Sequence, residues 1–335
     1  RAAPQWIGMS SGTVVVTGGA GHLGTNLVAA LRDGGADVRV VDLREPVTGL
    51  RLGATWVEAD VRDGVRMRAA FEGAAVVYHL AGVISVVGSL GGLVESVNVT
   101  GTRTVAEAAL AVGVPRLVHC SSVHAFDLER AGHQVDESSP RATRRRAAAY
   151  DRSKAAGEDE LRRVVDRGLD AVIANPSGII GPLDEGPSRM GAVFRALWRR
   201  RMPVVVTGGF DWVDVRDVVA TLRAAANRGR TGESYLVGGH RRSIRELADL
   251  ARSCSGVNVT RHAAPLWMAG LGAPVATVVA RRTGNPLMPT REALQALRRF
   301  PTVDSAKAAR ELGHHPRPIA ETISDLYAYF TSVAR

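Results

Sequence analysis

The stretch Thr17-Gly18-Gly19-Ala20-Gly21-His22-Leu23-Gly24 follows the β-branched run Val14-Val15-Val16 and opens an amphipathic segment. Glycines at this spacing permit a tight turn, let the backbone approach a pyrophosphate, and bring a helix close to a strand, while the helix N-terminus offers free N–H groups to an anion. In a chain with 36 Gly among 335 residues, three glycines at two fixed offsets arise about 0.4 times by chance, so context must carry the inference. The context is present: a strand ends at Thr17, a helix follows, and Asp42 closes the next β-branched run about 20 residues on, where a carboxylate accepts from ribose hydroxyls. A carboxylate there also repels a 2′-phosphate, so NAD is favoured over NADP. Arg44, two residues later, reads mainly as a solvated loop residue.

The rest of the first half repeats this rhythm. Strands are predicted at 13–17, 37–42, 55–59, 75–80, 116–121 and 171–175, with helices at 21–32, 65–71, 93–111 and 150–167. Alternation of this kind predicts an α/β fold, a doubly wound parallel sheet (Rossmann fold), with a smaller, mostly helical C-terminal lobe. Residues 176–188 are crowded with Pro and Gly and read as a long functional loop. Beyond it, helices are predicted at 193–200, 217–227, 244–254, 290–298, 305–312 and 319–330, with extended pieces at 203–207 and 234–237. The expected division is a disordered lead-in or tag at 1–11, an NAD-binding domain at 12–175, and a substrate-binding lobe at 176–335, some of whose segments can return to the sheet.

The formal charge of +10 invites a nucleic-acid partner, but the cations are scattered and belong to no binding module, so none is expected. The dense runs Arg144–Arg146 and Arg199–Arg201 read as solvated helix faces or anion contacts. Cys120 and Cys254 read as buried small hydrophobes, and no spacing suits a metal. No apolar run approaches a membrane span, so a soluble, cytoplasmic protein without a membrane partner is expected.

Chemistry concentrates at Tyr150-Asp151-Arg152-Ser153-Lys154. On a helix, positions i and i+4 share a face, so a phenol and an ammonium can enter one cleft, the cation lowering the phenol's pKa toward general acid/base work. Only two Lys occur beside 41 Arg and five Tyr, so a chance Tyr-x-x-x-Lys is expected about 0.03 times. Ser121-Ser122 sits at the predicted end of a strand, the edge where open α/β sheets bind ligands. It lacks the flanking glycines of a hydrolase nucleophile elbow.

Together these residues resemble the extended short-chain dehydrogenase/reductase family, of NAD-dependent epimerase/dehydratase type. The likeness spans nearly the whole chain: TGGAGHLG at 17–24, Asp42, Asp60-Val61, His79-Leu80-Ala81-Gly82, Asn98-Val99-Thr100-Gly101-Thr102, Ser121-Ser122, Tyr150 with Lys154, NPSGIIGP at 175–182, WVDVRDV at 212–218 and Asp304-Ser305-Ala306-Lys307. The resemblance implies Tyr150 as acid/base, Lys154 lowering its pKa and holding the nicotinamide ribose, and Ser122 orienting the reacting oxygen. It further implies cofactor contacts at Gly18, Gly21, His22, Leu23, Gly24, Asp42, Asp60, Val61, Leu80, Ala81, Pro176 and Ser177. Asn98 matches the family's asparagine position. Sugar-nucleotide members usually carry Val-Tyr-Gly after the serines; His124-Ala125-Phe126 looks more like the dihydroflavonol-reductase and 3β-hydroxysteroid-dehydrogenase branch. The expected activity is interconversion of a secondary alcohol and a ketone on a small apolar or ring-containing molecule, the alternative being an NDP-sugar epimerase/dehydratase with tightly bound NAD. Met190 and Phe210, near predicted loops, and His124 are candidate substrate contacts. The resemblance also implies a homodimer through the helices at 93–111 and 150–167.

Overall fold

The computed structural model describes residues 12–184, 188–256, 260, 262–283, 285, 287–298 and 301–333; the expected lead-in at 1–11 lies outside them. The chain begins β1 (Thr13–Thr17), α1 (His22–Asp33), β2 (Val38–Asp42), α2 (Val47–Arg51), β3 (Thr55–Glu58), α3 (Gly64–Phe71), β4 (Ala74–His79), α4 (Leu93–Glu95), α5 (Thr102–Ala111), β5 (Leu117–Cys120), β6 (Gln134–Val135), α6 (Ala149–Val165) and β7 (Ala171–Pro176). It continues β8 (Gly178–Ile180), α7 (Arg189–Trp198), β9 (Val205–Val206), β10 (Gly209–Asp214), α8 (Val215–Arg228), β11 (Ser234–Val237), β12 (His240–Ser243), α9 (Ile244–Ser255), β13 (Ala263–Ala264), α10 (Leu266–Thr283), α11 (Arg291–Arg298), β14 (Thr302–Val303), α12 (Ala306–Leu312) and α13 (Ile319–Ser332).

Seven strands form one parallel sheet in the order β11-β7-β5-β4-β1-β2-β3. Strand order reverses between β1 and β4, which opens a crevice at their carboxyl ends. Successive side chains on a strand face opposite layers, and the valines of β1 divide accordingly. Val14 and Val16 pack with Leu27 and Leu31 of α1 and Leu222 of α8, whereas Val15 packs with Met67, Phe71 and Val105 on the opposite face. Burying each valine contributes about 1.5–3 kcal/mol, so both layers hold the strand that carries the glycine turn.

The C-terminal half builds a second core from Phe194, Leu197, Trp212, Leu247, Ile323 and Phe330. A small sheet, β12-β10-β8, joins it to the end of β7. Several expectations need correction. The described residues of the stretch at 176–188 include the last residue of β7 and all of β8, because Gly178–Ile180 pairs with Trp212–Asp214; residues 185–187 lie outside those described. The helix at 93–111 is interrupted by a π-helical turn, Ser96–Gly101. Arg144–Arg146 precede α6 and Arg199–Arg201 follow α7, exposed in turns instead of on helix faces. Cys120 is buried as expected, but Cys254 is exposed.

Candidate active site

The site grows from the turn after β1. Gly18 takes φ +74°, and a Cβ there would stand 2.6 Å from the amide nitrogen of Ala81, so only glycine lets the ends of β1 and β4 meet. A Cβ at Gly24 would lie 2.2 Å from the Gly18 carbonyl, which keeps α1 against the turn. Helix α1 has no side-chain cap and no acidic residue in its first turn. Its leading amides therefore suit an anion, and the close-packed turn fits a dinucleotide pyrophosphate.

Asp42, at the tip of β2, accepts from the amide of Ala20 at 3.0 Å and from that of Arg44 at 2.9 Å. Arg44 is exposed, as expected of a loop residue, and its guanidinium also reaches back to the Ala20 carbonyl at 3.3 Å. His22 Nε2 meets the Pro182 carbonyl at 3.0 Å, tying α1 to the segment after β8, and Leu23 packs on the sheet core. Asp60 is gripped by Arg62, at 2.5 Å and 2.9 Å, which holds its carboxyl below the usual range, while Val61 is buried beneath Gly101. Leu80 and Ala81 cross the glycine turn through Thr17.

Below the turn, His79 Nδ1 bonds Thr17 Oγ1 at 2.8 Å and its Nε2 meets Thr102 Oγ1 at 3.2 Å. One buried ring thereby joins β1, β4 and α5. Burial, helped by the charge of Lys154, depresses its pKa to about 3, so it is neutral.

Helix α6 forms from good helix formers with a buried stripe, Tyr150, Lys154, Glu158 and Leu161, at three- and four-residue spacing. The stripe faces the end of β5. Lys154 Nζ donates to the Cys120 carbonyl at 3.2 Å. Burial lowers the ammonium's pKa, opposed by Cys120 and Glu158. Ser122, also buried, caps a single 3₁₀ turn (Val123–Ala125) and interacts with the Tyr150 hydroxyl. The expected lowering of the phenol's pKa by Lys154 is overturned: burial dominates and pushes it well above the ordinary value, with Ser122 opposing.

Sequence reasoning missed what braces this set. Glu158 is fully buried and accepts from Ser121 at 2.5 Å, Asn175 at 2.7 Å, Arg141 at 2.6 Å and Arg162 at 3.1 Å. Its position four residues after Lys154 was the available signal. Asn98, in the π turn, grips Val83 through both amide atoms, at 2.8 Å and 2.9 Å, and donates to Ser153 at 2.9 Å.

His124 stands edge-on to Tyr150 and stacks on Phe210, each at 5.5 Å between centroids, and its Nδ1 is 2.9 Å from an Asp151 carboxylate oxygen. Phe210 thus stands beside Tyr150 through His124, from near the start of strand β10. Met190 lies in the first turn of α7 and packs on the C-terminal core. Pro176 ends β7, and Ser177 is buried with its amide on the Val237 carbonyl.

With this geometry established, three comparisons place the chain. The family model described as NAD dependent epimerase/dehydratase matches residues 14–238. A sterol demethylase protein B from Methylococcus capsulatus is 33% identical, covering 95% of this chain and 98% of its own. A putative dihydroflavonol 4-reductase from Synechocystis is 30% identical, covering 97% and 96%. A UDP-glucose 4-epimerase from Thermotoga maritima, crystallised with UDP-glucose, shares the fold with a TM-score of 0.78 at 22% identity, covering 96% of this chain and all of that one. The chain is therefore an oxidoreductase of the NAD-dependent epimerase/dehydratase family, within the extended short-chain dehydrogenases/reductases.

Proposed function

We propose that the protein interconverts a secondary alcohol and a ketone on a small apolar, ring-containing substrate, with Tyr150 as acid/base and NAD preferred to NADP. The observation that carries this reading is the buried Ser122, Tyr150 and Lys154 set beside the His124–Phe210 ring pair. Flat aromatic neighbours offer an apolar surface on which a ring-containing substrate can lie. The names of the sterol and dihydroflavonol relatives point the same way.

In this reading the substrate oxygen lies between Ser122 Oγ and Tyr150 Oη. NAD, held at the crevice between β1 and β4 by the glycine turn and Asp42, supplies the hydride chemistry. The Tyr150 phenol, which Ser122 draws down against the upward push of burial, gives a proton to the carbonyl oxygen in reduction and takes one from the alcohol in oxidation. Lys154 positions the nicotinamide ribose, and the chain divides near Asn175 into cofactor and substrate lobes. A homodimer through α5 and α6 belongs to the same reading, and light scattering tests it. The decisive experiment incubates the protein with polycyclic ketones and alcohols, and with UDP- and dTDP-hexoses, following nicotinamide absorbance and sugar isomerisation. Net NADH turnover on a ketone or alcohol supports the proposal; isomerised sugar without net turnover replaces it with the epimerase reading.

A further inference from the structure

Helix α10 turns its large apolar side chains outward. Trp267, Met268, Leu271, Val275 and Val278 are 67, 50, 77, 70 and 50% exposed. At about 100° per residue, these five fall on one arc of about 100°. Its buried positions are small instead, Ala273 and Ala280. The helix contains no acidic residue and ends in the exposed pair Arg281-Arg282. Glu292, in the neighbouring α11, is turned inward to the amide of Gly88 at 3.2 Å.

We propose that this face of α10 seats the protein on an anionic lipid bilayer surface. An apolar stripe closed by arginines, on a chain of net charge +10, has the pattern of a helix lying in the headgroup region, where apolar burial and attraction to anionic lipid act together. No helix among the described residues is long and apolar enough to cross a membrane, so α10 lies along the surface. A sequence-level expectation of no membrane partner, resting on the lack of a spanning run, does not reach this mode of binding.

A second copy of the chain fits less well. An 18-residue helix is about 27 Å long and presents about 300 Å² on one face, well short of the roughly 800 Å² per partner of a stable interface. The seat also lies beside the crevice: Arg281 Nε donates to the Val87 carbonyl at 3.0 Å, in the segment whose Val83 is gripped by Asn98. An apolar molecule leaving the bilayer would emerge near the site, although the seat does not depend on the proposed reaction.

The test is flotation of the full chain, with NAD present, on phosphatidylcholine vesicles with and without phosphatidylglycerol. The protein is expected to float with the anionic vesicles and to be released by raised salt. The double variant Leu271→Glu/Val275→Glu should cut the bound fraction about tenfold while melting temperature and NAD binding stay unchanged. Absence of the protein from the vesicle fraction, or equal flotation of the variant, overturns the proposal. A variant that binds vesicles normally but passes from dimer to monomer in light scattering assigns the face to a second copy instead.

Discussion

Asn175 Nδ2 donates both to Glu158 Oε1 at 2.7 Å and to the Ser122 carbonyl at 3.0 Å, coupling a fully buried carboxylate to the backbone that carries the Ser122 hydroxyl. Glu158 also balances Arg141 and Arg162, which are 26% and 35% exposed. Glu158→Gln keeps the shape but strands both guanidinium groups, and is expected to cost on the order of 2–3 kcal/mol, less than a wholly buried pair because water reaches the arginines. Urea unfolding measures this; a loss below about 0.5 kcal/mol would remove Glu158 from the role of brace.

Tyr150→Phe removes the proposed proton donor without changing the ring. Turnover should fall by about 10²- to 10⁴-fold with NAD affinity nearly unchanged. Full activity in that variant sinks the proposed mechanism.

Gly18→Ala places a methyl group against the Ala81 backbone at a positive φ. Strain of about 1–2 kcal/mol and at least about tenfold weaker NAD binding are expected, read by thermal melting and calorimetry. Retained affinity would show that the turn can open without loss.

Asp42→Asn removes the charge that opposes a 2′-phosphate, while Arg44 remains on the glycine turn. The NAD-to-NADP affinity ratio should fall by about tenfold or more. An unchanged ratio places cofactor selection elsewhere.

The pH dependence follows from the buried imidazoles. His79 titrates near 3 when folded against an ordinary value of 6.5, so between these values the unfolded chain binds the extra proton. Stability is complete above about pH 6.5 and is lost as pH falls through that window, on the order of 1.4 kcal/mol per pH unit for each such histidine. His119, held well below its ordinary value by burial, acts in the same direction. His79→Asn should flatten the stability–pH curve; an identical slope in that variant would falsify the assignment.

The strand, turn and helix order was legible because it depends on local pattern: valines at alternating positions, glycines where the backbone must turn, and four-residue spacing along α6. The same logic singled out Ser122, Tyr150 and Lys154, which the fold brings together at the end of β5. It passed over Glu158, because a carboxylate one turn beyond Lys154 reads as solvated until its two arginines arrive from 141 and 162. Nor could it place Phe210, which reaches His124 only because β10 pairs with β8. The direction of the Tyr150 shift went wrong for a related reason: spacing revealed the cation, while desolvation, set by the whole fold, decides the outcome.

Strand β11 gives the central sheet its outer edge beside β7, although 57 residues, 177–233, lie between Pro176 at the end of β7 and Ser234 at the start of β11.

 During synthesis, β7 therefore emerges from the ribosome with an unpaired edge and must wait for β11 before the sheet is complete. The nascent protein carries an exposed strand through that interval, which makes this stretch of translation the period when the chain is most open to mispairing with its neighbours.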